Sequence, residues 1–189
     1  MISDTRAATP IGIMHEAKKI HAILADDGKH LGVVGGAGDS TLIKWAFQVA
    51  DRIIKEFAGD DGLIYFDEVR EAIGRMEEIF MNRLNKLRKM GMNLNFQLIL
   101  GSVDLDGRAS LYEFDERGLA EPMHEDPGYA IIGSGMITGG ILLLKLLGYN
   151  SEIDLGLLTA FILDTVSEVD YSVGPFVGES YLMRLKRGR

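Results

Sequence analysis

The sequence predicts an α+β domain of four layers, αββα: two antiparallel sheets packed face to face with helices outside. Three observations carry this expectation. Two long segments, 40–57 and 66–89, hold apolar residues at helical spacing and follow one another directly. Blocks of short strand-like segments stand before and after them. The second block contains Asp106-Gly107, a strong hairpin turn. Helices grouped between strand blocks indicate α+β rather than a parallel sheet wound by alternating helices. The 189 residues suit a single domain, 1–189, with a sizeable core.

The elements follow in order. Short strands are expected around 12–14, 20–24 and 31–34, with Asp26-Asp27-Gly28 as a turn. Asp39, Ser40 and Thr41 offer N-caps. Leu42, Ala46, Val49, Ile53 and Phe57 then recur at helical spacing, and Ala58-Gly59 closes that helix. In the second helix Val69, Ile73, Met76, Phe80, Leu84 and Leu87 form one apolar stripe, a core face, and Gly91 stops it. Strands are expected at 96–103, 109–114 and 130–132. Helices follow at about 137–147 and 153–169, and closing strands at 176–177 and 181–185. No internal repeat, low-complexity run or linker interrupts them.

Composition narrows the function. Hydrophobic residues make up 47% and charged residues 25%, an ordinary globular balance. A net charge of −8 argues against nucleic acid as a partner, because phosphate binding needs a basic face. Arg184, Lys186, Arg187 and Arg189 read as a solvated tail, since four charges without an apolar helix anchor weakly. With no cysteine, neither a disulfide framework nor thiolate chemistry is available, which suits a reducing cytoplasm. The N-terminus shows no charged region followed by an apolar one, so no secretory signal is expected. Residues 129–144 are apolar and contain Gly135-x-x-x-Gly139, a membrane-packing pattern. The segment is shorter than the roughly 20 residues that span a bilayer. Its Gly-Ser-Gly interruption suits strand, turn and helix better, so no membrane partner is expected.

Several motifs fail on spacing. His15-Glu16 with His21 lacks the second zinc-site histidine, because position 19 is lysine. Asp104-x-Asp106-Gly107 brings its glycine too early for a calcium loop. Neither glycine cluster reads as a dinucleotide or phosphate loop. Ser134 lies in Gly-Ser-Gly rather than G-x-S-x-G, so no nucleophile elbow is present. No metal or cofactor is expected.

Four separated pieces remain as candidates. Asp4 stands beside Arg6, and Lys19 stands at the edge of a strand in Lys18-Lys19-Ile20. Gly35-Gly36-Ala37-Gly38-Asp39 links a strand to a helix N-terminus, and Ser134 lies between two glycines before another helix. An aspartate can hold a lysine beside a nucleophile. A glycine-rich strand–helix junction exposes N–H groups that can bind an oxyanion.

In this order the pieces resemble a proteasome β-type subunit, of the N-terminal nucleophile hydrolases. Ser3-Asp4-Thr5-Arg6-Ala7-Ala8 is similar to the segment ending that family's second strand, and Lys18-Lys19-Ile20 to its lysine motif. Gly35 to Asp39 resembles the junction opening the first helix. Leu100-Gly101-Ser102-Val103-Asp104-x-Asp106-Gly107 and Ser110 to Asp115 resemble the central hairpin. Tyr129 to Gly135 resembles the strand before the third helix. The resemblance spans nearly the whole chain.

The resemblance implies a threonine-type endopeptidase subunit that degrades peptides or unfolded proteins inside a ring. That ring is expected to be homo-oligomeric, with α-type subunits as a further partner. It implies that Asp4 orients Lys19, and that Lys19 lowers the proton affinity of the nucleophilic threonine's amine. Gly35 N–H would donate to the oxyanion. Ser134 and Asp170 would position the amine, which serves as the threonine's own base. Ala7, Val33 and Ala37 would line the pocket for the substrate side chain before the cleaved bond. The family's nucleophile lies about a dozen residues before Asp4, where this chain has Met1, Ile2 and Ser3. The chain as it stands is therefore expected to show no threonine-peptidase activity. The family pattern Asp-x-x-Ser-Gly reads here Asp170-Tyr171-Ser172-Val173-Gly174, with valine at the serine position unless Ser172 shifts to replace it. The alternatives are a non-catalytic ring or scaffold subunit, and an amidase or transpeptidase on the same fold.

Overall fold

The structure, a computed structural model, describes residues 1–8, 14–59, 61–149, 154–175 and 177–181. Expected elements at 12–13, 153, 176 and 182–185, and the basic tail, lie outside the described residues. The described chain divides into two compact units. One comprises Met1–Ile20 and the described part of Ile131–Leu182, the other His21–Ala130.

The second unit holds a five-stranded sheet in the order β4(Ile20–Leu24), β5(His30–Gly38), β6(Phe96–Val103), β7(Ala109–Phe114), β8(Ala120–Pro122). The β5–β6, β6–β7 and β7–β8 pairs are antiparallel. Between β5 and β6 the chain forms α1(Ser40–Phe57) and α2(Phe66–Lys89), with the bounds their apolar periodicity predicts. The stripe Val69, Ala72, Ile73, Met76, Phe80 and Leu84 is buried. Phe80 is wholly buried and meets Trp45, Phe96 and Phe114 edge to face, with ring centroids 5.4, 5.5 and 5.1 Å away. One ring thus ties α2 to α1, β6 and β7. Burying side chains of this size supplies about 1.5–3 kcal/mol each.

Two expectations need correction here. The strand expected at 31–34 continues to Gly38, pairing Gly35 with Ile99 and Gly38 with Phe96. Its glycines, which read as a turn, serve close packing instead. A side chain at 36 would stand 2.5 Å from Ile43 of α1, and one at 38 would stand 2.2 Å from the Asn95 carbonyl. Gly38 also takes φ +117°, open to glycine alone. Asp39 precedes α1 without bonding the helix by its side chain. Its carboxylate accepts from Asn95 N at 3.0 Å instead, fastening the end of β5 to the start of β6. The second correction concerns 130–132, which is not a strand. The sheet edge is β8, which ends on Pro122, a residue without an N–H and so suited to an edge.

The first unit contains two short antiparallel pairs, β1(Ile2–Asp4) with β9(Val177–Ser180) and β2(Arg6–Ala8) with β3(Met14–Glu16). It also contains α3(Met136–Tyr149) and α4(Leu155–Val169). Asp154 caps α4, accepting from Leu157 N at 3.0 Å. The two helices meet where α3 has no side chain, with Gly139 against Ile162 and Val166. No helix among the described residues is long and apolar enough to cross a membrane.

One stability prediction follows from α2. Gly74 lies in its exposed interior, and nothing stands within 4 Å of where a Cβ would sit. Gly74→Ala is expected to stabilise the protein by about 1 kcal/mol, through helix propensity and a less free unfolded chain. Urea unfolding checks this; a lowered midpoint would contradict it.

Candidate active site

Asp4 ends β1 where the β1–β9 register shifts between Ser3 and Asp4. Its side chain turns inward and is buried. Oδ1 accepts from Lys19 Nζ at 2.7 Å. Oδ2 accepts from Arg6 N at 2.9 Å and from Gly174 N at 2.8 Å. Three donors thus compensate one buried carboxylate, which burial otherwise penalises heavily. Glycine at 174 eases this approach, since a Cβ there would lie a tight 3.2 Å from Asp4 Oδ2 and 3.1 Å from Arg6 Cβ. The Lys19 side chain keeps 24% of its surface exposed, against 9% for Asp4. Its ammonium is anchored on the Asp4 carboxylate. Ala17 N donates to Thr5 O at 2.8 Å, holding the segment that carries Lys19 beside the one that carries Asp4.

The loop that supplies Gly174 carries a second polar cluster. Ser172 N and Ser172 Oγ both donate to Asp170 Oδ1, at 2.9 and 2.5 Å. Ser134 Oγ lies 2.6 Å from Ser172 Oγ. The Ser172 hydroxyl gives its one proton to the carboxylate, and Ser134 also hydrogen-bonds that carboxylate, so the two serines and Asp170 form one cluster. Ser134 Oγ is left with lone pairs to offer an incoming N–H or ammonium. The bonds from the Ser172 hydroxyl and amide hold the Asp170 carboxyl below the usual carboxylate range. Asp170 therefore stays an acceptor through neutral and mildly acidic pH. The Arg6 guanidinium donates to Tyr171 O, fastening the same loop to β2.

Local sequence explains these positions. Gly133 takes φ +91°, which turns the chain sharply so that Ser134 stands just ahead of α3. A Cβ at Gly135 would lie 2.7 Å from Val166 and 3.2 Å from Val173. Val173, at the serine position of the pattern, is buried against this glycine rather than joining the hydroxyl chain.

Asp4, Lys19, Ser134 and Asp170 all belong to the first unit, and the 170–174 loop bonds both to Asp4 and to Ser134. Gly35, Val33 and Ala37 belong to the second unit, on β5. A side chain at 36 would point at α1; strand alternation puts 33, 35 and 37 together on the opposite face of the sheet. Ala7 pairs with His15 in the β2–β3 ladder. Two surface grooves of the second unit contain none of these residues; one is lined by Trp45, Arg83 and Lys86, the other by Phe66, Tyr112 and His124. Among the described residues no group of three or more His, Asp or Glu could hold a metal.

Sequence reasoning named Ser172 only as the residue that could shift to replace the serine that the pattern has at position 173. Its signal was local: a hydroxyl residue two positions after an aspartate, the arrangement of an Asx-turn. Ser172→Ala is expected to remove the hydroxyl that joins Ser134 and Asp170 in this half-buried cluster, leaving the direct bond from Ser134 to the carboxylate. It should also let the Asp170 pKa rise toward its ordinary value of 3.8. An NMR titration of the carboxyl checks this, and an unchanged titration would contradict the assigned bonds.

No protein-family description and no curated protein sequence matches the chain. Solved structures do. HslV from Trypanosoma brucei superposes with a TM-score of 0.69 at 19% identity, covering 94% of this chain and 88% of that one. Anbu, an ancestral beta-subunit, from Yersinia bercovieri gives 0.70 at 19% identity, covering 92% and 72%. Anbu from Hyphomicrobium sp. strain MC1 gives 0.63 at 17% identity, again covering 92% and 72%. These likenesses show the fold: the chain has the α+β, proteasome β-type-like fold that its motifs imply.

Proposed function

We propose that this protein is a proteasome-like threonine-type endopeptidase subunit that takes part in protein degradation within a cytoplasmic ring assembly. The observation that supports this best is the buried Asp4 carboxylate holding Lys19 in the unit where Ser134, Ser172 and Asp170 form a hydrogen-bonded cluster. In this reading a threonine hydroxyl attacks a peptide carbonyl, and the threonine's own amine accepts its proton. Lys19 lowers that amine's proton affinity by placing a positive charge nearby. Ser134 accepts an N–H from the amine, and Asp170, hydrogen-bonded to both serines, polarises Ser134. The oxyanion role of Gly35 N–H, and the pocket roles of Ala7, Val33 and Ala37, rest on the motif resemblance. Substrates are peptides or unfolded proteins, with α-type subunits as further ring partners.

A second reading, a non-catalytic ring or scaffold subunit, draws support from Val173, which puts an apolar side chain where the family pattern has serine. The native amino-terminal residue separates the two. Intact mass and terminal sequencing of the protein isolated from its source are expected to give threonine. A native Met1 would overturn the catalytic reading and leave the scaffold.

A further inference from the structure

One groove of the second unit holds polar groups that the fold leaves without partners. It measures about 380 Å³ and is lined from the start of α2, from β7 and from the chain after β8. Three rings wall it. His124 meets Phe66 edge to face at 5.2 Å and Tyr112 at 5.3 Å between ring centroids. Phe66 and Arg70 stand four residues apart on α2, so both side chains lie on one side of the helix.

Tyr112 is 6% exposed, yet its hydroxyl makes no hydrogen bond among the described residues. A hydroxyl taken from water without a partner is costly, and native interiors rarely leave one. Burial raises the pKa of this phenol, and the Arg70 charge acts against the rise, so guanidinium and hydroxyl are neighbours in the groove. The phenol stays a donor at neutral pH. His124 Nδ1 lies 3.1 Å from Leu111 O and 3.4 Å from Leu111 N. That fixes the ring and leaves Nε2 without a partner among the described residues. Arg70 reaches Asp67 at 3.3 Å, both side chains being exposed. Such a pair holds a guanidinium weakly and leaves most of its five N–H donors available.

We infer that this groove binds a small zwitterion that carries a ring: an aromatic amino acid, free or within a dipeptide. Its carboxylate takes the Arg70 guanidinium and the Tyr112 hydroxyl. Its ring packs among Phe66, Tyr112 and His124. Its ammonium faces Glu125 and Asp126, exposed residues that line the groove directly after His124. Charge decides against simpler ligands. Two carboxylates on the rim and a net chain charge of −8 repel a plain carboxylate. A plain amine leaves Arg70 and Tyr112 unanswered. The volume falls at the low end of the about 300–1,000 Å³ of small-molecule sites, which suits a ligand of this size. The groove lies wholly in the second unit, whereas Asp4, Lys19, Ser134 and Asp170 lie in the first, so the inference does not rest on the peptidase reading.

Calorimetric titration of the 189-residue chain tests it. The ligands are phenylalanine, hydrocinnamate, which lacks the ammonium, and phenethylamine, which lacks the carboxylate. Phenylalanine is expected to bind with a Kd of about 1 mM or below, and the other two at least about tenfold more weakly. Tyr112→Phe removes only the unused hydroxyl, so the melting temperature should hold while the phenylalanine Kd rises about fivefold. Arg70→Gln should raise that Kd at least about tenfold and leave phenethylamine binding unchanged. Glu125→Gln with Asp126→Asn should remove the advantage over hydrocinnamate. Glycyl-phenylalanine separates the two sources: whichever of it and the free amino acid binds more tightly is the occupant, and either result supports the site. Equal affinities for phenylalanine, hydrocinnamate and phenethylamine would overturn the inference. So would no binding of phenylalanine or the dipeptide up to about 10 mM, or an unchanged phenylalanine Kd in both Arg70→Gln and Tyr112→Phe.

Discussion

Lys19→Ala, made in a chain that begins with a threonine about a dozen residues before Asp4, is expected to abolish hydrolysis of peptide amides, a fall in kcat of at least about 100-fold. The ammonium is the cationic group that Asp4 holds in place, on a side chain that keeps 24% of its surface exposed. In the proposed mechanism its electrostatic effect on the threonine's amine is lost when the side chain is removed. Stability should change little. Asp4 keeps its bonds from Arg6 N and Gly174 N, and a partly exposed ion pair contributes up to about 1 kcal/mol. Lys19→Arg should keep that stability without restoring the rate, because a guanidinium places its charge and donors differently. Turnover of a fluorogenic peptide, with thermal melting alongside, checks both halves. A Lys19→Ala enzyme with undiminished turnover would contradict the role.

Asp4→Ala should act on stability as well as on activity. It strips three donors of their acceptor at once, including the N–H of buried Gly174, and leaves Lys19 unpaired. Orphaning the buried backbone donors, with up to about 1 kcal/mol more from the partly exposed ion pair, is expected to cost about 2–4 kcal/mol here. The damage should centre on β1 and the 170–174 loop, which Asp4 joins through Gly174. Asp4→Asn should cost less, since its amide oxygen still accepts, though its NH2 then faces the ammonium. Urea unfolding measures the loss, and hydrogen exchange locates it. A loss below about 0.5 kcal/mol for Asp4→Ala would mean that the carboxylate holds nothing together.

The two long helices were legible because their stripes run for many turns and depend only on local spacing. Val69 to Leu84 needs no knowledge of the rest of the chain. The 96–103 and 109–114 strands were legible through Asp106-Gly107, whose turn chemistry is equally local; Gly107 takes φ +81°. The extension of β5 to Gly38 was not legible. Glycine signals a turn in sequence, whereas here Gly36 and Gly38 admit Ile43 and the Asn95 backbone, contacts that exist only after folding. β8 escaped notice because three residues ending in proline carry no alternation. Among the candidate residues, Asp4 and Lys19 were visible through their motifs, and the structure pairs them across fifteen positions of sequence. Ser172 drew attention as the neighbour of a misplaced valine; only its contact with Ser134, thirty-eight positions away, reveals the bridge.

The most direct test of the central claim compares two chains that differ at one position. Both carry the 189 residues behind an upstream segment of about a dozen residues. One begins with threonine and the other with alanine, so only one supplies a hydroxyl nucleophile. The measurement is the rate of peptide-amide hydrolysis by each. The expected result is hydrolysis by the threonine chain and none by the alanine chain. Equal rates from the two, or no hydrolysis from a folded and assembled threonine chain, would contradict the account.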